Sequence, residues 1–220
     1  MAQGRHARAT QMMQEALRAD DNPSMRTMLG MSLLGGGKFT DSASALEAAY
    51  QKDPGQLQAG VALATLYMQS GQADKAVRIA SNLVKQRPQA AGLQYLLGSA
   101  RARQGDVAGA RAAFEAALKL DAAYAAPAVS LAALDIDKGA YDKAAARLND
   151  VLARDESNLD ALGESGRLAE RRGQLAEAQR WLEKAEDHSP TSNLQPGLAL
   201  VKFHLRNHNP DAAVEATKRL

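Results

Sequence analysis

Residues 96–121 read LLGSARARQGDVAGARAAFEAALKLD and predict two helices joined by a tight turn. Gly105 separates two alanine- and leucine-rich segments, at a point where a left-handed residue commonly ends a helix. Small residues at Gly98 and Ala110 would let two antiparallel helices approach closely, and Phe114 follows one turn after Ala110. This stretch therefore indicates a pair of antiparallel helices whose axes lie close together.

The turn glycine recurs every 34 residues. Steps of 34 from Gly105 reach four further glycines and, at the sixth site, an asparagine, the residue that best replaces glycine where φ is positive. This register predicts an all-α array, an α-solenoid of antiparallel helix pairs with a 34-residue period, in which each pair needs its neighbours. The six sites are Gly37, Gly71, Gly105, Gly139, Gly173 and Asn207.

The composition agrees with closely packed thin helices. Hydrophobic residues make up 45% of the chain but aromatic residues only 4%, so alanine and leucine supply the core. The formal net charge of +2 and the lack of a basic stripe argue against nucleic acid or an anionic membrane surface as partner. The absence of cysteine excludes disulfides and thiolate metal sites. No apolar run in the sequence is long enough for a membrane segment.

We divide the chain into five complete repeats flanked by two incomplete ones, and expect one continuous solenoid domain. Residues 1–22 read as the second helix of a truncated repeat, and residues 193–220 as an incomplete repeat. Positions are counted from the first residue of each repeat, with the sixth starting at 193. The complete repeats are 23–56, 57–90, 91–124, 125–158 and 159–192.

Small residues recur at two positions of the repeat, where they predict the contact between its two helices. Position 24, in the second helix, usually carries a larger residue such as Leu46 or Phe114. Position 8 carries Gly30, Ala64, Gly98, Ala132 and Gly166; position 20 carries Ser42, Ala76, Ala110, Ala144, Ala178 and Ala212.

With Pro54, Pro88 and Pro190 at the repeat ends, this pattern resembles the tetratricopeptide repeat (TPR) family over essentially all 220 residues. The resemblance implies a right-handed superhelix whose concave groove is lined by the first helix of each pair. It also implies a scaffold that binds a protein or peptide without catalysis, and we expect no cofactor.

The resemblance further implies which side chains face the groove. The groove then runs from apolar and methionine-rich to charged, and adaptable methionines favour a partner helix or an extended segment. For each apolar residue the alternative is packing between neighbouring first helices. The residues singled out for partner binding are Met28, Met31, Val61, Thr65, Met68, Tyr95, Ser99, Arg103, Ile136 and Arg167.

Two motifs that could carry chemistry do not fit their patterns. The run from Gly35 to Lys38 lacks the first glycine and the Ser or Thr of a phosphate-binding loop. His204 and His208 have the spacing of metal ligands on one helix face, but His208 precedes Pro210 and no third ligand is near. We therefore expect neither an enzyme nor a metal site.

A narrower resemblance is to the TPR lipoproteins that accompany the bacterial exosortase/PEP-CTERM system. It is carried by RTMLGMSLLGGGKF at 26–39 and ALEAAYQKDP at 45–54. It implies a role in exopolysaccharide production and protein sorting at the cell envelope. A periplasmic or membrane-anchored parent protein would follow, with its anchor outside this chain; without this resemblance, a cytoplasmic location is expected.

Two other functions fit the same repeats. The chain could be the regulatory TPR domain of a larger enzyme or transcription factor. It could also be a self-assembly module that forms homo-oligomers end to end through uncapped terminal helices.

Overall fold

The computed structural model describes the backbone of residues 2–220 and the side chains from Thr10 onwards. This described part of the chain forms thirteen helices and contains no strand. They are α1 (Ala2–Ala19), α2 (Pro23–Gly35), α3 (Phe39–Lys52), α4 (Leu57–Gln69), α5 (Ala73–Gln86), α6 (Ala91–Gln104), α7 (Val107–Leu120), α8 (Ala125–Asp137), α9 (Tyr141–Arg154), α10 (Leu159–Arg171), α11 (Leu175–Asp187), α12 (Gln195–Arg206) and α13 (Pro210–Thr217).

The helices form two compact units, residues 1–121 with α1–α7 and residues 122–220 with α8–α13. Within each unit every helix packs on the next one, and the first helices of successive repeats also contact each other. This arrangement confirms the predicted all-α solenoid of helix pairs. That the whole array is one continuous domain stays a prediction.

Each unit has a hydrophobic core of its own. Leu46 and Leu63 are among the fully buried residues of the first unit, and Leu182, Leu200 and Phe203 lie together in the second. Burying a leucine or phenylalanine side chain stabilises a fold by about 1.5–3 kcal/mol. The repeats of a unit are therefore held together mainly by apolar packing.

The left-handed turn residues follow the predicted register at five of the six sites. The glycines have φ between +74° and +87°. At the sixth site the prediction is wrong, because Asn207 has φ −97° and His208 takes the left-handed conformation with φ +56°. The Asn207 amide donates to the Phe203 carbonyl at 2.9 Å and to Glu170 Oε1 at 3.0 Å. These bonds hold Asn207 at the helix end, so the turn moves on by one residue.

The glycines at position 8 allow large side chains to fill the helix pair. A Cβ atom at Gly98 would lie 2.5 Å from the ring of Phe114, closer than any real contact. In the second repeat the same two positions carry Ala64 and Ala80, and both are fully buried. In these two repeats, the residue at position 8 is thus matched to the size of its partner in the second helix.

Side chains also connect one repeat to the previous one. At position 30, the Gln86 amide donates to the Pro54 carbonyl at 3.0 Å, and the Arg154 guanidinium donates to the Ala122 carbonyl at 3.3 Å. Each bond spans 32 residues and satisfies a carbonyl in the turn that ends the preceding repeat. These links were not foreseen from the sequence, because position 30 varies in residue type.

Candidate functional site

Two exposed methionines on α2 define the candidate site. Met28 and Met31 lie one turn apart and are 56% and 46% exposed. Asn22 begins this helix by accepting a hydrogen bond from the Ser24 backbone N–H at 2.8 Å, and Pro23 occupies the first turn. The position of the methionine pair is therefore fixed by a well-capped helix that packs on α1, α3 and α4.

The next first helix, α4, continues the surface with half-buried side chains. Val61 and Met68 pack with one side on the core of the first unit. The Thr65 hydroxyl donates to the Val61 carbonyl at 2.9 Å, so its single donor is used within the helix. The methionine face, as we call it, comprises Met28, Met31, Val61, Thr65, Met68 and Tyr95.

The third first helix, α6, carries the aromatic and polar end of this surface. Tyr95 is half-buried, and its ring centroid lies 5.7 Å from that of Phe114. Ser99 is half-buried and Arg103 is exposed. Of the ten sequence-predicted residues, the eight in the first unit therefore retain accessible surface on the three first helices α2, α4 and α6.

In the second unit, Ile136 does not face a groove. It is fully buried, so it belongs to the core and has no surface to offer a partner. This corrects the expectation from the repeat register. Position 12 lies at the border of the first-helix face, and the residues there in the first two repeats, Leu34 and Met68, are only half-buried. The burial of a side chain at this position therefore differs from repeat to repeat.

Arg167 is engaged by its own unit. Its guanidinium forms 2.7 Å hydrogen bonds with Glu164 and Asp137 and a 3.1 Å bond with the Ala133 carbonyl. Burial raises the pKa of the Glu164 carboxyl even though Arg167 opposes that shift. Arg167 thus ties α8 to α10 rather than presenting a free charge.

A second charged contact ties α10 to α12. Arg206 donates to both carboxylate oxygens of Glu170, at 3.1 and 2.8 Å, and Asn207 donates to the same group. Burial would raise the pKa of Glu170, but these hydrogen bonds outweigh it and hold the pKa below its ordinary value. The charged groups of Arg167, Glu164, Arg206 and Glu170 on the first-helix face of the second unit are therefore paired with one another or with neighbouring groups.

The described residues contain no group of three or more His, Cys, Asp or Glu side chains placed to hold a metal ion. His204 is buried, with its ring 5.3 Å from that of Phe203, while His208 lies in the turn after α12. The two histidines therefore do not share a helix face. Within the part of the chain that the structure covers, no helix combines the length and apolarity needed to cross a membrane.

Known protein families match along the whole chain. Three models described as tetratricopeptide repeat match residues 1–56, 33–100 and 91–124, which together span the first unit. A model described as the TT21 fifth ARM repeats domain matches residues 124–218. No curated protein matches the sequence.

Solved structures share the fold at low sequence identity. A tetratricopeptide repeat protein from Parabacteroides merdae is 19% identical over 98% of this chain and 86% of that chain, with a TM-score of 0.86. PilW, described as a type IV pilus biogenesis factor, is 23% identical over 90% and 91%, with a TM-score of 0.72. A thermophilic TPR protein from Thermus thermophilus is 21% identical over 83% and 99%, with a TM-score of 0.71. At these identities the likeness concerns the fold alone.

Proposed function

Because the chain is a tetratricopeptide repeat protein, we propose that it is a non-catalytic interaction scaffold that binds a partner on its methionine face. The partner presents either the apolar side of an amphipathic helix or an extended apolar segment. Repeats of this family serve in general as protein-interaction scaffolds. The accessible first-helix surface of α2, α4 and α6 supports that role for the methionine face.

The observation that carries this proposal is the exposure of Met28 and Met31 beside half-buried Val61 and Met68. Clustered apolar side chains that remain exposed on a folded protein commonly mark an interaction surface. Unbranched thioether side chains can adapt to the ridges of a partner helix. Fully burying one exposed methionine contributes about 1.5–3 kcal/mol, and these half-exposed side chains gain part of that on binding.

The test uses peptides selected for binding to the intact protein from a displayed library, with affinities measured by fluorescence anisotropy. We expect selected peptides to carry apolar residues at helical spacing. Met31→Glu or Met68→Glu should lower their affinity at least tenfold, because the charge must be buried against an apolar partner. Far-UV circular dichroism should show unchanged helicity.

Val107→Glu is the matched control. Val107 is 54% exposed, and its substitution adds the same charge, but it begins α7, a second helix. The affinity of this variant for the peptides should equal that of the wild type. Unchanged binding by Met31→Glu and Met68→Glu would reassign the methionines to packing between neighbouring helices.

A narrower proposal is a role in exopolysaccharide production and protein sorting at the bacterial envelope. It rests on the two sequence phrases at 26–39 and 45–54. A lipobox in the full-length gene, or exosortase genes beside it, would support it. An added catalytic or DNA-binding domain would instead support the regulatory domain of a larger protein.

Self-association has one observation in its favour. Leu205 on α12 and Val214 on α13 are 57% and 56% exposed, so the last helix pair presents apolar side chains to solvent. Static light scattering tests this alternative. A mass that rises from monomer to multiples with concentration, and that Val214→Glu returns to monomer, would establish it, whereas a monomer at every concentration would remove it.

A further inference from the structure

A polar cleft lies between the second helices of the first two repeats, apart from the methionine face. Helices α3 and α5 form its walls and α4 its floor, and it has a volume of 380 Å³. Its chemistry comes from two tyrosines, two cations, one carboxylate and the two amides of Gln51 and Asn82. We call it the tyrosine cleft, lined by Tyr50, Tyr67, Lys75, Arg78, Asn82 and Glu47.

Tyr50 supplies an unsatisfied hydroxyl to this cleft. Its side chain is only 7% exposed, and its hydroxyl is buried without a hydrogen-bond partner among the described residues. The ring is held in place by α4, because a Cβ atom at Gly60 would lie 2.9 Å from it. Burial raises the pKa of Tyr50, and the Asn82 side chain, which approaches the hydroxyl oxygen as a donor, opposes that shift only in part. The hydroxyl therefore stays protonated, and its own proton has no acceptor among the described residues. Buried polar groups normally have partners, and this one lacks one within the described part of the protein.

Tyr67 and Glu47 satisfy each other. The Tyr67 hydroxyl donates to the Glu47 carboxylate, and burial together with that carboxylate raises the pKa of Tyr67 to about 12. The Lys75 ammonium lies over the Tyr67 ring, 5.0 Å from its centroid. The carboxylate of the cleft is thus already accepting a hydrogen bond.

The two cations, in contrast, have no acidic partner. Among the residues that the structure describes, neither Lys75 nor Arg78 forms an ion pair or a conventional hydrogen bond. Together with the Tyr50 hydroxyl and the Asn82 amide, the cleft therefore holds more donors than acceptors. Two cations and one carboxylate leave a single net positive charge, which complements one negative charge.

From this surplus of donors and this charge, we propose that the tyrosine cleft binds a carboxylate, with Arg78 and Lys75 pairing with it and the Tyr50 hydroxyl donating to it. A phosphate dianion would bring one negative charge too many beside Glu47. The carboxylate comes from the acidic side chain of a partner protein or from a free small carboxylic acid. This site is separate from the methionine face and does not depend on it.

The first experiment titrates ¹⁵N-labelled full-length protein with four probes: a blocked Leu-Glu-Leu tripeptide, its glutamine counterpart, propionate and inorganic phosphate. We expect the glutamate tripeptide to shift amide signals of α3 and α5 around the cleft, and the glutamine tripeptide to shift none. Tripeptide affinity at least tenfold above that of propionate identifies a protein side chain as the source, and equal affinity a free acid. Equal binding of both tripeptides, or tighter binding of phosphate, would overturn the proposal.

Two substitutions then separate binding from folding. Arg78→Gln should lower the affinity for the glutamate tripeptide about tenfold, since it removes a charge-assisted hydrogen bond. Tyr50→Phe should lower the tripeptide affinity severalfold. The stability of this variant in urea should be equal to or higher than that of the wild type, because the substitution removes a buried hydroxyl that has no partner. Lys85→Gln, an exposed residue of α5 outside the cleft, is the control and should change neither property.

Two outcomes would contradict carboxylate binding in the tyrosine cleft. Unchanged tripeptide affinity in both Tyr50→Phe and Arg78→Gln would show that the cleft does not take a carboxylate. A loss of stability in Tyr50→Phe would show that the hydroxyl supports the fold, which also contradicts the proposal. Because Met31→Glu leaves the cleft intact, failure of the methionine face would not alter any of these measurements.

Discussion

At the residue scale, the helix pairs depend on whether position 8 carries a Cβ atom. Gly98 on α6 lies directly under the Phe114 ring, and a methyl group added there would be 2.5 Å from the ring, which leaves no room for it. Gly92 on the same helix has no atom within 4 Å of such a methyl. The two glycines therefore have opposite roles, one required by packing and one merely tolerated.

We expect Gly98→Ala to lower the free energy of unfolding by up to about 2 kcal/mol. Overpacking costs about 1–3 kcal/mol, and the better helix propensity of alanine returns at most about 1 kcal/mol. Urea denaturation followed by circular dichroism measures the change. Gly92→Ala is the control and should be neutral or stabilising by up to about 1 kcal/mol.

The sign should reverse when the ring is absent. In a Phe114→Ala background, Gly98→Ala should no longer destabilise, because the helix pair then has the alanine pairing of the second repeat. A Gly98→Ala cost that persists without the ring would place the strain somewhere other than this contact.

At the element scale, a side-chain link between position 14 and position 18 joins two of the pairs of successive repeats. Arg172 forms a 2.7 Å hydrogen bond with Asp142 of the preceding repeat, and its guanidinium lies 6.0 Å from the Tyr141 ring centroid. Gln104 and Asp74 make the equivalent bond at 2.7 Å. Each link spans 30 residues and ties the start of a second helix to the end of the next first helix.

The first repeat lacks this link. Thr40 and Ser70 occupy the two positions, and both side chains are too short to meet. A cleft of 610 Å³ lined by these residues opens there, and Phe39 at its edge stays 59% exposed. The cleft lies where this link is missing.

Restoring the link should stabilise the first unit. In the double variant Thr40→Asp with Ser70→Arg, we expect a coupling energy of about 0.2–1 kcal/mol, the range for exposed ion pairs. A double-mutant cycle from urea denaturation isolates this term, and each single variant should change stability little. High salt should weaken the coupling. Zero coupling would show that α3 and α4 are placed differently relative to each other than α9 and α10 are.

At the scale of the whole molecule, the presence of two separate cores indicates that the two units can unfold in separate transitions. Each unit buries its own leucines, and repeat proteins are stabilised by nearest-neighbour contacts. Trp181 is the only tryptophan, and it lies in the second unit beside the Leu182–Leu200 cluster. Its fluorescence therefore reports on that unit, whereas circular dichroism reports on all helices.

We expect Leu200→Ala, which removes a fully buried side chain, to destabilise its unit by about 2–5 kcal/mol. The tryptophan fluorescence transition should move to lower urea and separate from the remaining helical signal. Leu46→Ala in the first unit is the matched control, since it should shift part of the helical signal and leave the fluorescence transition in place. Fluorescence and circular dichroism that still coincide in both variants would mean that the two units unfold as one.

The features that recur every 34 residues could be predicted from the sequence, and those that join particular repeats could not. The turn glycines and the small residues at positions 8 and 20 appear as predicted, because each depends on its own repeat. The bonds of Arg167 to the Asp137 carboxylate and the Ala133 carbonyl span 30 and 34 residues, and neither these bonds nor the burial of Ile136 follows from the repeat register. The tyrosine cleft was missed for the same reason, since Tyr50 at position 28 has no counterpart of its kind in the other repeats.

The hydrogen bonds from position 30 to the preceding turn have a consequence for how the protein is made. After adding Pro54, a ribosome must add 32 more residues before the Gln86 side chain exists to bind the Pro54 carbonyl. At 5–20 residues per second, this corresponds to a delay of roughly 2–6 s for each such turn. In each repeat that has this bond, the turn at its end is therefore satisfied only after the next repeat has been synthesised. These bonds form in order from the amino-terminal end, one repeat behind the growing chain.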